Sequence, residues 1–162
     1  MIKKIITLFL ILIPINSYAL IEVDITRGNL NPLPVAVSPL SIDEKSRKSF
    51  EKVLKKENIG EEISSIVENN LRTSGLFNPL SKEAFLQAPD IANLKPRFED
   101  WNLIKAQALI TGKVSYLDEK LRVEFRLWDV LAAKEMLAIA FTTVPTNIIA
   151  FCFVIVVHRI GI

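Results

Sequence analysis

The sequence predicts an α/β fold in which a mixed β-sheet carries helices packed on one face. Two observations support this prediction. Between Asp43 and Gly75 the apolar residues recur at spacings of three and four, which is typical of amphipathic helices. From Leu121 to Trp128 apolar residues alternate strictly with mostly charged ones, which is typical of a half-buried strand. Strands before and after a helical region indicate one sheet that mixes parallel and antiparallel pairs.

The composition indicates one domain and excludes several classes of function. The chain has 162 residues, half of them hydrophobic, with one Cys and one His. A single Cys and a single His cannot form an internal disulfide or a common zinc site. The chain has 20 basic and 18 acidic residues. Cleavage of a signal peptide that contains Lys3 and Lys4 would leave 18 basic residues, equal to the number of acidic ones. Bulk charge therefore predicts no nucleic-acid binding.

Residues 1–19 are typical of a secretory signal peptide. Two lysines precede an apolar stretch of 11 residues, and a small-x-Ala motif ends at Ala19, so we expect cleavage between Ala19 and Leu20. An uncleaved membrane anchor and a buried strand are the alternatives, although a spanning helix needs about 20 apolar residues. No later apolar run has that length, and we therefore expect that the protein is not an integral membrane protein.

The segment after the expected cleavage site has two readings. Ile21, Val23 and Ile25 alternate with polar residues, as in a short half-buried strand or in an extended peptide that becomes a strand on meeting a partner. The apolar run from Val35 to Leu40 then predicts a strand in the middle of the sheet.

Two helices are expected before Gly75, which has the position of a left-handed C-cap. The piece from Asp43 to Lys56 is mostly charged, so it predicts an exposed helix or an ordered insertion. The second piece presents a continuous apolar face made of Ile63, Ile66, Val67 and Leu71. The Asn-Pro step between Phe77 and Leu80 predicts a tight turn.

The rest of the domain predicts one short helix and a meander of three strands. The helix places Trp101 against the core, and a hairpin turn is expected at Asp118–Lys120. The predicted segments are the helix at 98–105 and the strands at 106–112, 121–128 and 135–143.

Residues 146–162 depart from this pattern. The run from Ile148 to Val157 contains ten apolar residues without alternation, which are too few to cross a bilayer. Its composition is that of an aggregation-prone segment. We expect either that something covers this run or that the chain is poorly soluble.

Adjacent carboxylates are the first candidates for catalysis. Glu99 with Asp100 and Asp118 with Glu119 form such pairs, but neighbouring side chains point in different directions and no nucleophile accompanies them. We interpret both pairs as solvated surface and predict no catalytic, cofactor-binding or metal-binding residue.

One face of the predicted strand at 121–128 carries charge. Arg122, Glu124 and Arg126 favour a solvated sheet face with mild charge pairing over an anion site. Trp128 shares that face, either as an exposed contact or packed under a helix.

Several motifs, taken in order, resemble a known family. They are Ile25-Thr26-Arg27-Gly28, Pro34-Val35-Ala36-Val37-Ser38-Pro39, Asn70-Leu71-Arg72-Thr73-Ser74-Gly75-Leu76-Phe77-Asn78-Pro79-Leu80, Ala108-Leu109-Ile110-Thr111-Gly112 and Phe125-Arg126-Leu127-Trp128-Asp129. Together they resemble the amino-terminal domain of TolB, the periplasmic component of the Tol-Pal envelope system. The resemblance covers residues 1–145, and residues 74–80 are its most specific element.

The resemblance implies a non-enzymatic periplasmic adaptor that binds no small-molecule substrate. In the family this domain precedes a six-bladed β-propeller, and the protein links an inner-membrane complex to the lipoprotein Pal. The system supports outer-membrane integrity, cell division and protein import. The family's contact for the inner-membrane partner TolA corresponds here to Leu20, Ile21, Glu22, Val23, Asp24, Ile25, Thr26 and Arg27. Pal binding belongs mainly to the propeller, so we do not expect it here.

The apolar tail departs from the family pattern. A family member continues past Asn147 into a polar helix and the propeller, whereas this sequence turns apolar. We therefore expect a truncated fragment, produced by a frameshift or a gene split near Asn147. The alternative is a small envelope protein attached to a membrane or a partner by its tail.

Overall fold

The computed structural model describes residues 31–55 and 58–144. Its strands are β1 (Leu33–Val37), β2 (Ser41–Ile42), β3 (Phe77–Pro79), β4 (Ala108–Leu117), β5 (Lys120–Asp129) and β6 (Lys134–Thr143). Its helices are α1 (Glu44–Leu54), α2 (Ile59–Thr73), α3 (Pro89–Leu94) and α4 (Phe98–Leu103), with a 3₁₀ turn at Lys82–Ala84. The predicted signal peptide at 1–19, residues 20–30 and residues 145–162 lie outside the described residues, so the predicted limits of the domain, 20–145, remain predictions.

Strand β1 lies inside the sheet, as predicted. The strand order is β3-β1-β4-β5-β6, and the short strand β2 also pairs with β4. Val35 faces Pro79 of β3 and Ala108 of β4, both in parallel register. The pairs β4–β5 and β5–β6 are antiparallel. The predicted mixed sheet of an α/β fold is confirmed.

The two longer helices cover one face of this sheet. Helix α2 buries Ile63, Val67 and Leu71 in a core that also contains Val35 and Val37. Because side chains alternate along a strand, the intervening residue Ala36 points to the opposite face. There it packs in a second, smaller core with Leu109 and Trp101, the buried residue of α4. Helix α4 therefore packs on one face of the sheet, and α1 and α2 pack on the other. The sequence had predicted helices on one face only.

Helix α1 is a mostly exposed helix, as one of the two expectations had it, and it is anchored to the sheet by two buried residues, Ser46 and Phe50. Phe50 is only 1% exposed, and its ring meets that of Tyr116 edge-on at 5.7 Å. The backbone N–H of Tyr116 donates to the hydroxyl of Ser46 at 2.9 Å. A helix of eleven residues contains few apolar positions, so its apolar residues do not show a clear 3.6-residue period. The sequence alone therefore did not reveal that Phe50 is buried against the sheet.

The segment from Phe77 to Leu80 forms an edge strand instead of the predicted turn. It pairs in parallel with β1, and the Leu80 N–H donates to the Val35 carbonyl at 2.9 Å. Pro79 lacks an N–H, so it is tolerated in a strand only where a ladder bond is not needed, as at the edge of a sheet. The Asn-Pro step marks the edge of the sheet here.

The predicted meander is confirmed. Asp118 and Glu119 form the two-residue turn between β4 and β5 with φ values of 49° and 58°. Two successive positive φ angles match the right-handed twist of the flanking strands. Strand β4 extends to Leu117, beyond the predicted end at Gly112. Strand β6 begins at Lys134 and completes the meander.

Candidate functional site

The segment predicted to contact a partner, Leu20 to Arg27, and the predicted cleavage site Ala19–Leu20 lie outside the described residues. The described residues begin at Asn31, two residues before strand β1. The Leu33 N–H donates to the Leu76 carbonyl at 2.9 Å, and the Gln107 N–H donates to the Pro34 carbonyl at 3.0 Å. Both flanks of the first strand are therefore hydrogen-bonded from its start.

The first candidate carboxylate pair has a structural role. The Asp100 carboxylate accepts hydrogen bonds from Gln87 Nε2 at 3.0 Å and from Arg97 Nε at 2.9 Å. Gln87 also donates to the Arg97 carbonyl at 2.9 Å. The pKa of Asp100 lies below its ordinary value, chiefly because the Gln87 amide donates to the carboxylate and also because Arg97 is adjacent. This carboxylate fastens the start of α4, and its neighbour Glu99 is exposed.

The charged face of β5 is a paired, solvated surface, as interpreted from the sequence. Arg122 Nε lies 2.7 Å from a carboxylate oxygen of Glu124, and Arg126 lies 3.4 Å from Glu135. All four side chains are more than one-third exposed, so water screens both ion pairs. The arrangement does not concentrate unpaired positive charge in the way that an anion site requires.

Trp128 packs under a helix, so the structure selects the second of its two readings. Its ring meets that of Phe98 in α4 at a centroid distance of 5.8 Å. Its indole Nε1–H donates to the hydroxyl of Thr111 at 2.9 Å. Thr111 is fully buried, so this bond satisfies a polar group that water does not reach.

The sequence analysis missed one polar cluster, at the start of α1. The Asp43 carboxylate accepts the backbone N–H of Ser46 at 2.9 Å and its hydroxyl at 3.1 Å, and Lys113 lies 3.6 Å away. The pKa of Asp43 is lowered, first by the Ser46 N–H and less by Lys113. An acidic residue directly before a helical pattern is an N-cap signal that would have identified it.

The same cluster borders an open groove of about 300 Å³, lined by Ser41, Ile42, Asp43, Asp90, Asn93 and Lys113. At this groove the carboxylate of Asp43 already pairs with the ammonium group of Lys113. Within residues 31–55 and 58–144, no group of three His, Cys, Asp or Glu side chains could hold a metal ion. In the same ranges, no helix is both long enough and apolar enough to cross a membrane.

A family model and a curated relative point to the same family. The family model described as the TolB amino-terminal domain matches residues 21–136. The Tol-Pal system protein TolB of Pelagibacter ubique (strain HTCC1062) is 74% identical over 147 residues, which are 91% of this chain and 33% of that protein. The chain thus spans about a third of the length of this curated relative.

A solved structure supports the same fold. The crystal structure of TolB from Acinetobacter baumannii superposes with a TM-score of 0.56 at 19% identity, covering 75% of this chain and 25% of that one. At this identity the likeness concerns the fold alone. The family match and the close relative carry the assignment, and the chain belongs to the TolB amino-terminal domain family.

Proposed function

We propose that this chain is a non-enzymatic adaptor of the Tol-Pal system that acts in the periplasm. The observation that carries the proposal is the family match over residues 21–136, together with 74% identity to a Tol-Pal system protein. The proposed role includes support of outer-membrane integrity, cell division and protein import, which the resemblance implies for the whole system.

The proposed contact with TolA is made by Leu20 to Arg27 through strand addition. In this mode, backbone hydrogen bonds to an exposed sheet edge supply affinity, and alternate side chains fill pockets. Ile21, Val23 and Ile25 have the required spacing of two and would share one face of the added strand. The side chains between them would face solvent.

The described domain suits the role of a platform for such a peptide. The segment leads within a few residues into β1, which is held by β3 on one side and β4 on the other. Three of its five residues are fully buried, namely Val35, Ala36 and Val37. A peptide attached to this strand is tethered to a buried element inside the sheet.

Polar groups in the described domain also fit an adaptor. Asp100 holds the loop before α4, and Asp43 holds the start of α1. These carboxylates are occupied in stabilising the fold, which is the role expected of them in a binding module.

We further propose that this amino-terminal domain supplies the TolA-binding half of the adaptor. The chain spans 33% of its relative's length, and the resemblance assigns Pal binding mainly to the propeller that follows this domain in the family. A chain restricted to the amino-terminal domain would therefore bind TolA without binding Pal.

A binding titration tests the TolA contact. The chain beginning at Leu20 is titrated with the carboxy-terminal domain of TolA and compared with a chain that lacks Leu20 to Arg27. We expect saturable binding by the first and no binding by the second. An affinity that survives the deletion would refute the assigned role of the segment.

A matched pair of variants separates side-chain contacts from the simple loss of chain. The triple change of Ile21, Val23 and Ile25 to Ser removes the apolar face, whereas Glu22→Gln with Thr26→Ser alters only the other face. We expect the first variant to lose binding and the second to retain it. Urea unfolding of every variant should give the same midpoint as the parent chain, because the changed residues precede the described domain.

A further inference from the structure

Four exposed leucines lie on neighbouring segments at one end of the sheet. At this end β1 and β4 begin and β5 turns into β6, and we call it the entry end. The Leu33 N–H donates to the Leu76 carbonyl at 2.9 Å. The Gln107 N–H donates to the Pro34 carbonyl, and the Val130 N–H donates to the Gln107 carbonyl, both at 3.0 Å. These bonds join four segments side by side, which contribute the exposed leucines Leu33, Leu76, Leu103 and Leu131.

Two of these leucines protrude from short connections. Leu103, the last residue of α4, is 73% exposed, and Leu131, in the turn between β5 and β6, is 69% exposed. Their near neighbours Trp101 and Val130 are buried in the second core. The backbone of both connections is therefore held by the core while the two leucines remain in water. Apolar side chains grouped on one surface in this way are typical of a contact site.

The same two connections carry positive charge. Lys105 follows Leu103 by two residues, Lys134 follows Leu131 by three, and both lysines are exposed. The strand register places one acidic residue, Asp129, opposite Lys134, and its carboxylate accepts the Ala132 N–H at 2.9 Å. The turn from β5 to β6 contains no acidic residue, whereas the turn from β4 to β5 consists of two, at positions 118 and 119. The entry end therefore combines apolar and cationic side chains.

We propose that the entry end docks on the surface of a membrane that contains anionic phospholipid. The leucines would enter the boundary between headgroups and acyl chains, and the ammonium groups of Lys105 and Lys134 would reach lipid phosphates. A protein partner would need a separate pocket for each protruding leucine at the matching distance. A fluid lipid surface accepts separate apolar side chains at any spacing, which favours lipid as the occupant.

This docking would be weak and reversible. Each lysine near an anionic surface strengthens binding about fivefold, and added salt screens that attraction. The described residues begin two residues before β1, so the membrane would hold the domain by the end at which the described chain starts. The inference goes beyond the proposed contact with TolA and does not depend on it.

Sedimentation with lipid vesicles tests the leucines. The chain beginning at Leu20, with its tail, is mixed with phosphatidylglycerol vesicles and compared with the double variant Leu103→Ser with Leu131→Ser. We expect the variant to bind at least about tenfold more weakly. The matched control Val53→Ser with Leu117→Ser changes two exposed apolar residues outside the entry end and should bind like the parent. Urea midpoints close to that of the parent show that each variant is folded.

A second pair of variants tests the charge. The double change Lys105→Gln with Lys134→Gln should weaken binding to phosphatidylglycerol vesicles by at least about tenfold, whereas Lys120→Gln in the β4–β5 hairpin should not. The parent chain should bind neutral phosphatidylcholine vesicles as weakly as the double variant binds anionic ones. Equal binding of the parent to both lipids would contradict the proposed role of the lysines.

Hydrogen exchange in the presence of vesicles locates the contact. We expect slower exchange at residues 103–107 and 130–134 and unchanged exchange at residues 116–120. Absence of binding by the parent chain, equal binding by all variants, or protection confined to residues 145–162 would each overturn the proposal. The last result would mean that the tail, and not the entry end, seats in lipid. The TolA titration contains no lipid, so failure of one proposal is distinguishable from failure of the other.

Discussion

Replacing Phe50 by alanine should destabilise the domain more than any other change in helix α1. Phe50 is 1% exposed and makes the edge-on contact with Tyr116. A fully buried Phe removes about 150 Å² of apolar surface from water, worth roughly 4 kcal/mol at about 25 cal/mol per Å². Measured Phe→Ala changes in cores cost about 3–5 kcal/mol, which agrees with this figure. We expect a loss of about 4 kcal/mol in the free energy of unfolding.

Urea unfolding of the full chain, followed by tryptophan fluorescence, measures this loss. Trp101 belongs to the second core, on the other face of the sheet, so it reports on unfolding of the whole domain rather than on local repacking near Phe50. The matched control is Val53→Ala, one turn further along the same helix at a side chain that is 51% exposed. The control should lie within about 0.5 kcal/mol of the parent chain, as do most surface substitutions. Equal losses in the two variants would refute the conclusion that Phe50 anchors α1.

Three further changes test other contacts. Asp43→Asn keeps an N-cap acceptor for Ser46 but loses the negative charge beside Lys113, so it should lower the urea midpoint by a small but measurable amount at pH 7. Because the folded pKa of Asp43 is lowered, its stabilisation is complete above the ordinary carboxyl pKa of about 3.9 and is lost as the pH falls through the folded value. Urea midpoints of parent and variant should therefore converge in acid, and a constant difference would contradict this. Trp128→Phe leaves the buried Thr111 hydroxyl without its donor and should cost about 1–3 kcal/mol in thermal unfolding, whereas an unchanged melting temperature would show that the bond contributes nothing. Gly75 has a φ of 74° with open space around it, so Gly75→Ala should cost about 1 kcal/mol through backbone strain alone and Gly75→Asn less, which comparative melting can decide.

Periodic segments were predictable from the sequence because burial on one side imposes a period. The alternation through β5 and the apolar stripe of α2 each result from burial of one face. Both elements were predicted at the correct residues. The glycine at position 75 was also predictable, because its left-handed backbone excludes most other residues.

Elements whose identity depends on distant partners were not predictable. Strand β3 has three residues, too few to show a period, and it exists because β1 lies beside it. Trp101 was expected in the core. The face of the sheet against which it packs depends on the path of the loops on either side of α4, and no local sequence pattern determines that path. The proposed contact segment came from the family resemblance, since alternation alone allowed a strand in the chain's own sheet equally well.

The direction of the strands determines how the domain would respond to a pulling force. Strand β1 is parallel to β4, and the two antiparallel steps that follow make β6 parallel to β1 as well. A force applied to the chain before Leu33 and after Thr143 would therefore act along the strands, at opposite ends of the sheet. Backbone hydrogen bonds lie across this direction, so many of them would share the load in shear instead of opening one after another. A domain connected in this way can transmit tension between its two ends while its sheet remains intact.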